Sequence, residues 1–174
     1  VRLSVRVLHI INEWNPSKGG AERLLESLKT HWDNNNVHYD YLSIISSQNP
    51  NVNTMACRRL KSFRTIFRLI RFLKNNNYDV VHAHLFPTIY YLSLIKSLGL
   101  WCGNLVITEH NSTNNRRKRK YRFLEKLVYR EFNTIICISE GVKEALIRWI
   151  PETESKIKVV YNGTVIHSNN EFQN

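Results

Sequence analysis

Short runs of β-branched and other apolar residues alternate along the chain with segments in which apolar positions recur every three to four residues. Such short runs predict strands buried on both faces, and the longer periodic segments predict helices. Strands are expected over 5–11, 37–46, 79–84, 105–108, 134–138 and 157–161, and helices over 21–28, 60–73, 89–98, 121–132 and 142–149. The alternation predicts an α/β fold with an open parallel sheet and helices on both faces.

Polar side chains follow most of the predicted strands. In an open parallel sheet, ligands bind beyond the carboxyl ends of the strands. The loops that follow Ile11, His82, Thr108, Ile138 and Tyr161 are therefore the expected location of a functional site.

Composition limits the class of protein further. The 174 residues are 43% hydrophobic, which suits one globular domain and argues against a disordered or collagen-like chain. The net charge of +11 predicts a surface that attracts phosphate groups. The three cysteines, Cys57, Cys102 and Cys137, have no CxxC spacing, which supports neither a disulfide framework nor a zinc site and favours a reducing compartment.

The sequence also predicts where the protein is found. Its longest uncharged apolar stretch spans 85–95 and contains Pro87, so it is much shorter than the ~20 residues of a membrane-spanning helix. The chain opens directly into the first strand pattern, without the charged and apolar regions of a secretory signal. We therefore expect a cytoplasmic protein.

A pair of glycines, Gly19 and Gly20, lies between the first predicted strand and the first predicted helix. Without side chains, these positions let the backbone N–H groups of a helix N-terminus approach a phosphate. An ordinary turn at a helix start uses the same residues, and the chain has neither GxGxxG nor the lysine of a P-loop. The pattern by itself leaves both interpretations open.

Two later strand ends carry histidines. His82 and His84 are two residues apart, so strand alternation places both on one side of the sheet. With no third ligand at a suitable spacing, hydrogen-bonded structural histidines are favoured and no metal is expected. After the next strand, Glu109, His110 and Asn111 form the densest polar cluster of the chain, for which the alternative interpretation is a solvated loop.

The segment over 58–74 predicts an amphipathic, cationic helix. Its apolar stripe, expected to face the core, comprises Leu60, Phe63, Ile66, Phe67, Ile70 and Leu73. Its basic side is Lys61, Arg64, Arg68 and Arg71. This side fits either a solvated helix surface or attachment to anionic lipid. A second basic run, which includes Arg116, Arg117 and Lys118, would either contact phosphate or form a charged loop.

Six short motifs follow one another along the chain: HII over 9–11, GGAER over 19–23, YDVVHAH over 78–84, TEHN over 108–111, ICISEGV over 136–142 and KVVYNG over 158–163. In this order and approximate spacing, they resemble the N-terminal half of glycosyltransferase family 4. The resemblance extends from residue 5 to about residue 166, and the combination is far more specific than any single motif.

The resemblance implies one half of a GT-B enzyme, in which two Rossmann-like domains face a cleft and a sugar passes from a nucleotide-sugar donor to an acceptor with retention. Residues 1–166 would form the N-terminal, acceptor-side Rossmann-like domain, and 167–174 would begin an interdomain linker or a disordered tail. The family's donor-binding domain follows the segment that matches Asn162 and Gly163, so this chain would lack it and is expected to be inactive alone. Thr164 and Val165 depart from the usual continuation of that segment.

The resemblance also implies roles for single residues. His110 would lie at the transferred sugar as the catalytic residue, and Gly19 and Gly20 would approach the donor pyrophosphate. The residues implied to contact the acceptor or a sugar are Glu22, His84, Glu109, Asn111, Ser139 and Glu140. Cations of the missing half stabilise the leaving group in this family, so no metal or other cofactor is expected.

The expected function is therefore hexosyl transfer from a nucleotide sugar to a glycan or lipid-linked acceptor in cell-surface polysaccharide or glycolipid synthesis, with peripheral attachment to a cytoplasmic membrane face. The alternative is a stand-alone phosphate-binding module that holds an anionic membrane or nucleic acid without catalysis. Nucleic acid is disfavoured because the basic and aromatic residues form no recognisable binding motif. A nicotinamide-dependent oxidoreductase is disfavoured because the glycine fingerprint and the ribose-binding acid are missing.

Overall fold

The computed structural model describes residues 4–31, 36–113 and 117–163. Within these residues the strands are β1 (Val5–Ile11), β2 (Val37–Ser43), β3 (Asn53–Thr54), β4 (Val80–Ala83), β5 (Asn104–Glu109), β6 (Thr134–Cys137) and β7 (Ile157–Val159). The helices are α1 (Gly20–His31), α2 (Phe63–Asn75), α3 (Thr88–Ser97), α4 (Arg122–Arg130) and α5 (Glu140–Trp149), with 3₁₀ turns at Arg119–Tyr121 and Pro151–Lys156. Arg116 and the segment 167–174 lie outside the described residues.

The strands form one sheet in the order β3-β2-β1-β4-β5-β6-β7, and every neighbouring pair is parallel. The predicted open, parallel, Rossmann-like sheet is therefore confirmed. The strand order reverses between β1 and β4, which lie side by side although they are far apart in the sequence. Loops from both strands leave the same edge there, which is where open α/β sheets bind ligands.

Each face of the sheet is covered by its own core. Along β1, Leu8 and Ile10 point into the larger core, which is completed by buried side chains of α2, α3, α4 and α5. Ile11 points to the opposite face, where a smaller core contains Trp14 and Leu25 of α1. This arrangement follows from strand alternation and confirms the prediction of helices on both faces.

Strand β3 was not predicted from the sequence. Asn53 and Thr54 are polar and exposed, so they lack the apolar signature of a strand. Their strand conformation comes from pairing with the end of β2, and the next residue continues this pairing, since the Met55 amide donates to the Ser43 carbonyl at 2.8 Å. Tertiary pairing therefore determines this short edge strand.

Helix α2 begins at Phe63, three residues later than predicted, because the Ser62 hydroxyl caps its N-terminus by accepting from the Arg64 amide at 3.3 Å. Its buried residues are Thr65, Leu69 and Leu73. Phe63 and Phe67 are 82% and 73% exposed, so the prediction that they face the core is wrong. The helix turns its buried stripe toward Thr65, whose hydroxyl donates to the Arg59 carbonyl at 2.7 Å.

The described helices contain no more than 13 residues each, and none of them has the length and apolar character that crossing a bilayer requires. Cys57, Cys102 and Cys137 are all free thiols.

Candidate functional site

Four histidines meet at the carboxyl edge of β1, β4 and β5. His9 lies on β1 directly opposite His82 on β4, and His84 follows β4 on the same side of the sheet. The ring centroids of His82 and His84 are 4.2 Å apart, and those of His9 and His84 are 5.3 Å apart. His110, just after β5, completes this histidine cluster with its ring centroid 6.1 Å from that of His84.

Hydrogen bonds and ring contacts hold the cluster in place. His9 Nδ1 and His84 Nε2 are 3.0 Å apart, and His82 Nε2 lies 2.7 Å from the Thr108 hydroxyl. The His9 ring is stacked on Tyr41 with the centroids 5.4 Å apart. Contacts between neighbouring strands therefore hold His9, His82 and His84 in position.

Burial keeps these imidazoles neutral at pH 7. Loss of hydration lowers the pKa of His82 to about 3 and the pKa of His110 to about 4. The pKa values of His9 and His84 lie well below the ordinary value of 6.5, mainly because of burial and further because neighbouring histidines repel a second positive charge. A neutral imidazole has one N–H donor and one lone pair, so the cluster suits hydroxyl groups better than anions.

A pocket of about 280 Å³ opens beside the cluster, close to the lower end of the roughly 300–1,000 Å³ of ligand pockets. Its lining comprises Asn12, His84, Leu85, Phe86, Ile89, Ile107, Thr108, Glu109, His110 and Asn111. Asn12 joins the loops after β1 and β4, because its amide nitrogen donates to the Phe86 carbonyl at 2.8 Å and its oxygen accepts from the Thr88 hydroxyl at 2.7 Å. These two hydrogen bonds therefore hold one wall of the pocket in place.

Two buried ring nitrogens at the pocket have no hydrogen-bond partner among the described residues. They are His84 Nδ1 and His110 Nε2. A buried polar atom that lacks a partner costs about 1–3 kcal/mol, so a hydroxyl or a water molecule that bonds to it is stabilised there. Of the predicted site residues, the structure thus brings His84, Glu109, His110 and Asn111 together at one pocket.

Glu109 lines this pocket, but its carboxylate belongs to the opposite face of the sheet. Its Oε1 atom accepts from the Tyr129 hydroxyl of α4, and both residues are almost fully buried. Strand alternation explains the direction, since Thr108 and His110 lie on the face that carries the histidines, while Glu109 lies on the face that packs against α4. The carboxylate is therefore placed to fix the end of β5 beneath the pocket.

Gly19 directly precedes helix α1, and Gly20 is its first residue. A Cβ atom at Gly19 would lie 2.4 Å from the Glu22 carboxylate, so this side chain folds back over the glycine. At Gly20, a Cβ atom would meet nothing within 4 Å. The N-terminus of α1 is therefore open to a phosphate at Gly20, whereas the negative charge of Glu22 lies beside Gly19.

Ser139 and Glu140 lie after β6 and do not line the pocket. The Ser139 hydroxyl caps α5 by accepting from the Val142 amide at 3.2 Å. Glu140 is exposed and pairs with Lys143 at 3.1 Å. In this structure both side chains stabilise the first turn of α5, Ser139 as its cap and Glu140 as an acidic residue at its N-terminus.

The basic residues in and just before α2 are exposed. Among the described residues, Lys61, Arg64, Arg68 and Arg71 form no ion pair, and Phe63 and Phe67 stand exposed between them. We call these six residues the cationic face. It reaches the pocket wall, because the Lys61 ammonium lies 5.4 Å from the ring centroid of Phe86.

The second basic run is described only in part. Arg117 is half-buried and its guanidinium donates to the Ser112 carbonyl, whereas Lys118 is exposed at the start of the 3₁₀ turn. Arg117 therefore contacts the chain just after the pocket residues 109–111.

Two contributors to the site were missed by sequence reasoning. His9 interrupts the apolar stretch 7–11 of β1, and a polar residue in the buried half of that strand was the available signal. Asn12 carried no signal, because its role depends on Phe86 and Thr88 from a distant loop.

Solved structures share this fold at low sequence identity. HepE of Anabaena, solved in complex with UDP and glucose, has a TM-score of 0.70 and 16% identity over 92% of this chain and 45% of its own. The lipopolysaccharide outer core galactosyltransferase WaaB has a TM-score of 0.66 and 14% identity, covering 94% of this chain and 47% of its own. A UDP-N-acetylglucosamine 2-epimerase has a TM-score of 0.60 and 13% identity, with 91% and 48% covered.

The chain spans less than half the length of each of these proteins. Because a transferase and an epimerase both share the fold, the fold alone does not assign a reaction. No curated protein matches the chain. The family model of Glycosyltransferase Family 4 matches residues 18–167, and the chain therefore belongs to this family.

Proposed function

We propose that the chain is the acceptor-side part of a retaining glycosyltransferase that moves a hexose from a nucleotide sugar to a glycan or lipid-linked acceptor. The observation that carries the proposal is the pocket at which His84 Nδ1 and His110 Nε2 lack partners. A sugar hydroxyl both donates and accepts, so it satisfies either tautomer of a neutral imidazole. Family membership makes a sugar the natural occupant.

His110 would act at the transferred sugar. As the nucleoside diphosphate departs, the sugar carbon becomes electron-poor, and a cation beside it would oppose the reaction. The pKa of His110 is lowered to about 4, so its imidazole stays neutral and orients a hydroxyl without this repulsion. Asn111 is exposed at the mouth of the pocket, where it is available to the acceptor.

The donor pyrophosphate would lie at the N-terminus of α1. Gly20 leaves open space there, and the first backbone N–H groups of a helix attract negative charge. The Glu22 carboxylate would turn away from Gly19 when the phosphate enters, because two negative groups repel each other. The complex of HepE with UDP and glucose supports a uridine diphosphate sugar as the first donor to test.

Transfer would need residues beyond those described here. We propose that another domain supplies the cations that stabilise the leaving diphosphate, that no metal is needed for the chemical step, and that this chain alone is inactive. A transfer assay with this chain, a panel of uridine and guanosine diphosphate sugars and candidate glycans would return no product. Reproducible transfer by the chain alone would overturn this part of the proposal.

The main experiment uses the natural full-length polypeptide with the donor and acceptor found in such a panel. NMR of the first-formed product compares its anomeric configuration with that of the donor. We expect retention, and inversion would contradict it. His110→Asn is expected to lower kcat/KM by about 10- to 100-fold, the effect of one or two hydrogen bonds, whereas exposed His38→Asn serves as the matched control.

Gly20→Ala tests the phosphate position without disturbing the fold. The added methyl meets nothing in the unliganded chain, so the unfolding transition should be unchanged or slightly raised. Donor affinity should fall about tenfold or more if the pyrophosphate lies against this backbone. Gly141→Ala in α5 is the matched control, since its Cβ would make an ordinary 3.9 Å contact. Equal donor affinity in both variants would contradict the proposed position of the phosphate at Gly20.

We also propose that the cationic face attaches the protein to an anionic membrane, which would bring a lipid-linked acceptor to the adjacent pocket. Exposed Phe63 and Phe67 would enter the interface while the arginines contact lipid phosphates. Sedimentation with vesicles should show binding to phosphatidylglycerol-containing membranes that weakens with salt, and little binding to pure phosphatidylcholine. Equally tight binding to a DNA duplex, without any transfer activity, would favour the stand-alone phosphate-binding module.

A further inference from the structure

We propose that His9, His82 and His84, here called the histidine triad, form a binding site for Zn²⁺. The three residues come from two neighbouring strands, and one ring nitrogen of each lies within 4.8 Å of the other two. Imidazole nitrogen is a preferred ligand of Zn²⁺. The site goes beyond the proposed transfer reaction, which does not depend on it.

The spacing of the nitrogens is close to that of a zinc site. Ligands about 2.1 Å from a tetrahedral ion lie about 3.4 Å from each other. His9 Nδ1 and His84 Nε2 are already 3.0 Å apart, and one of them carries the proton of their hydrogen bond. Once that proton has moved to the other nitrogen of its own ring, both atoms would have a lone pair for one ion after a small outward movement. A nitrogen of His82, at present within 4.8 Å of the other two, would have to come closer to complete a three-nitrogen face.

The surroundings supply the outer contacts that zinc-binding histidines use. A ligating histidine commonly donates its other ring N–H to a fixed acceptor. His82 Nε2 lies 2.7 Å from the Thr108 hydroxyl, so an N–H at this position has an acceptor and Nδ1 keeps its lone pair. His9 is stacked on Tyr41, which fixes its ring plane.

Zinc at the triad would also determine the tautomer of His84. If Nε2 binds the ion, the single ring proton must be on Nδ1, the atom that lacks a partner and lies at the pocket. The pocket would then present a fixed N–H donor. In the metal-free chain, the proton shared between His9 and His84 leaves Nδ1 either a donor or an acceptor.

We expect water as the fourth ligand of the ion. A three-histidine zinc site with an open position holds a water molecule whose pKa falls to about 7, so hydroxide offsets part of the buried positive charge. Because His84 lines the pocket, this water would enter from the pocket side. We therefore expect an affinity in the micromolar range rather than that of a thiolate site.

The test uses the untagged chain after removal of metals with a chelator. Zn²⁺ is titrated in competition with a chromophoric chelator, and Co²⁺ is added to a second sample as a spectroscopic probe. We expect one Zn²⁺ per chain and the intense visible bands of four-coordinate Co²⁺. A pale six-coordinate Co²⁺ spectrum or no saturable Zn²⁺ binding would overturn the proposal, and both readouts use the unaltered chain.

Variants assign the ion to the triad. His9→Asn and His84→Asn are each expected to weaken Zn²⁺ binding about 100-fold or more, and Thr108→Val about 10-fold or more through loss of the outer contact. His38→Asn, an exposed histidine of β2, is the matched control and should change the affinity less than twofold. Far-UV circular dichroism verifies folding. Unchanged affinity in a folded His9 or His84 variant contradicts the site, whatever the outcome of the transfer assays.

Discussion

The histidine cluster and the cationic face depart from the usual distribution of residues in opposite ways. The cluster buries titratable groups at the end of the sheet, where most folds place apolar side chains. The cationic face exposes Phe63 and Phe67 beside unpaired arginines, where most folds place mixed charges. Burial of unpaired imidazole nitrogens costs folding stability, whereas the exposed charges are hydrated and cost little.

The two regions also differ in where their polar groups find partners. Within the histidine cluster, the protein supplies most of the partners itself, through the His9–His84 and His82–Thr108 contacts, and only the pocket-facing nitrogens stay open. Among the described residues, the cationic face forms no ion pair and contacts the pocket wall only through Lys61 and Phe86. Substitutions in the histidine cluster should therefore change folding stability, whereas substitutions in the cationic face should leave it nearly unchanged.

Acidification should distinguish the regions most strongly. Between pH 6.5 and the lowered pKa values of His82 and His110, the unfolded chain binds protons that the folded chain does not, so stability falls as the pH falls. At pH 5, each such histidine contributes a loss of about 2 kcal/mol. Urea unfolding at pH 7.5, 6 and 5 measures this trend.

The variant His84→Asn sharpens that measurement, because asparagine does not titrate. Because burial lowers the pKa of His84 in the folded protein, the variant's loss of stability between pH 7.5 and pH 5 should be smaller than that of the original chain, whatever its stability at pH 7.5. Parallel curves for the two proteins would show that His84 takes up its proton in the folded state.

Removal of charge from the cationic face should affect membrane binding and leave folding unchanged. Each basic residue near an anionic surface contributes about 1 kcal/mol, so Arg64→Gln, Arg68→Gln and Arg71→Gln together should weaken vesicle binding about 100-fold. The free energy of unfolding should change by less than about 0.5 kcal/mol.

The matched control for these arginines removes the same charge elsewhere. Arg130→Gln, Arg148→Gln and Lys158→Gln lie on α4, α5 and β7 and should weaken vesicle binding only severalfold. Equal losses in the two triple variants would mean that the net charge, rather than the cationic face, drives binding.

Tyr129→Phe tests how much the buried hydrogen bond between Tyr129 and Glu109 contributes to folding stability. The Glu109 carboxylate would lose the Tyr129 hydroxyl, which should cost about 1–3 kcal/mol of folding free energy. Thermal and urea unfolding measure the loss. Tyr161→Phe removes a hydroxyl from an exposed residue and should be neutral, so an equal effect of both changes would contradict the role of the buried contact.

Ala56→Gly should have the smallest effect on the free energy of unfolding, and we expect it to stabilise the protein. Ala56 has a φ of 49°, in the left-handed region that costs a residue with a Cβ about 1–2 kcal/mol. Part of this gain is offset by the greater entropy of glycine in the unfolded chain, which leaves about 0.5–1 kcal/mol. Ala145→Gly within α5 is the control of opposite sign, since it should destabilise by about 1 kcal/mol. A raised melting temperature for Ala56→Gly alone is the expected outcome.

The sequence was sufficient for features that depend on local periodicity. The apolar runs located six of the seven strands, and strand alternation correctly placed His82 and His84 on one side. It failed where several choices had similar local energies. Apolar residues occur on several sides of α2, so packing against Leu69 and Leu73, rather than periodicity, decided that Phe63 and Phe67 are exposed.

The candidate site was predictable only within single strand ends. The TEHN segment, 108–111, indicated the pocket because its polar residues are contiguous. The third histidine of the triad was not found, because His9 precedes His82 by more than seventy residues and only strand order makes them neighbours. The direction of the Glu109 carboxylate was equally hidden, since it depends on Tyr129 of a later helix.

The side chain of Asn12 has a mechanical consequence. Both ends of its amide are occupied, one by the Phe86 carbonyl and the other by the Thr88 hydroxyl, so the loops after β1 and β4 are fastened to each other. Neither loop can swing independently without breaking a hydrogen bond. Any movement of this edge of the sheet should therefore carry the two loops together.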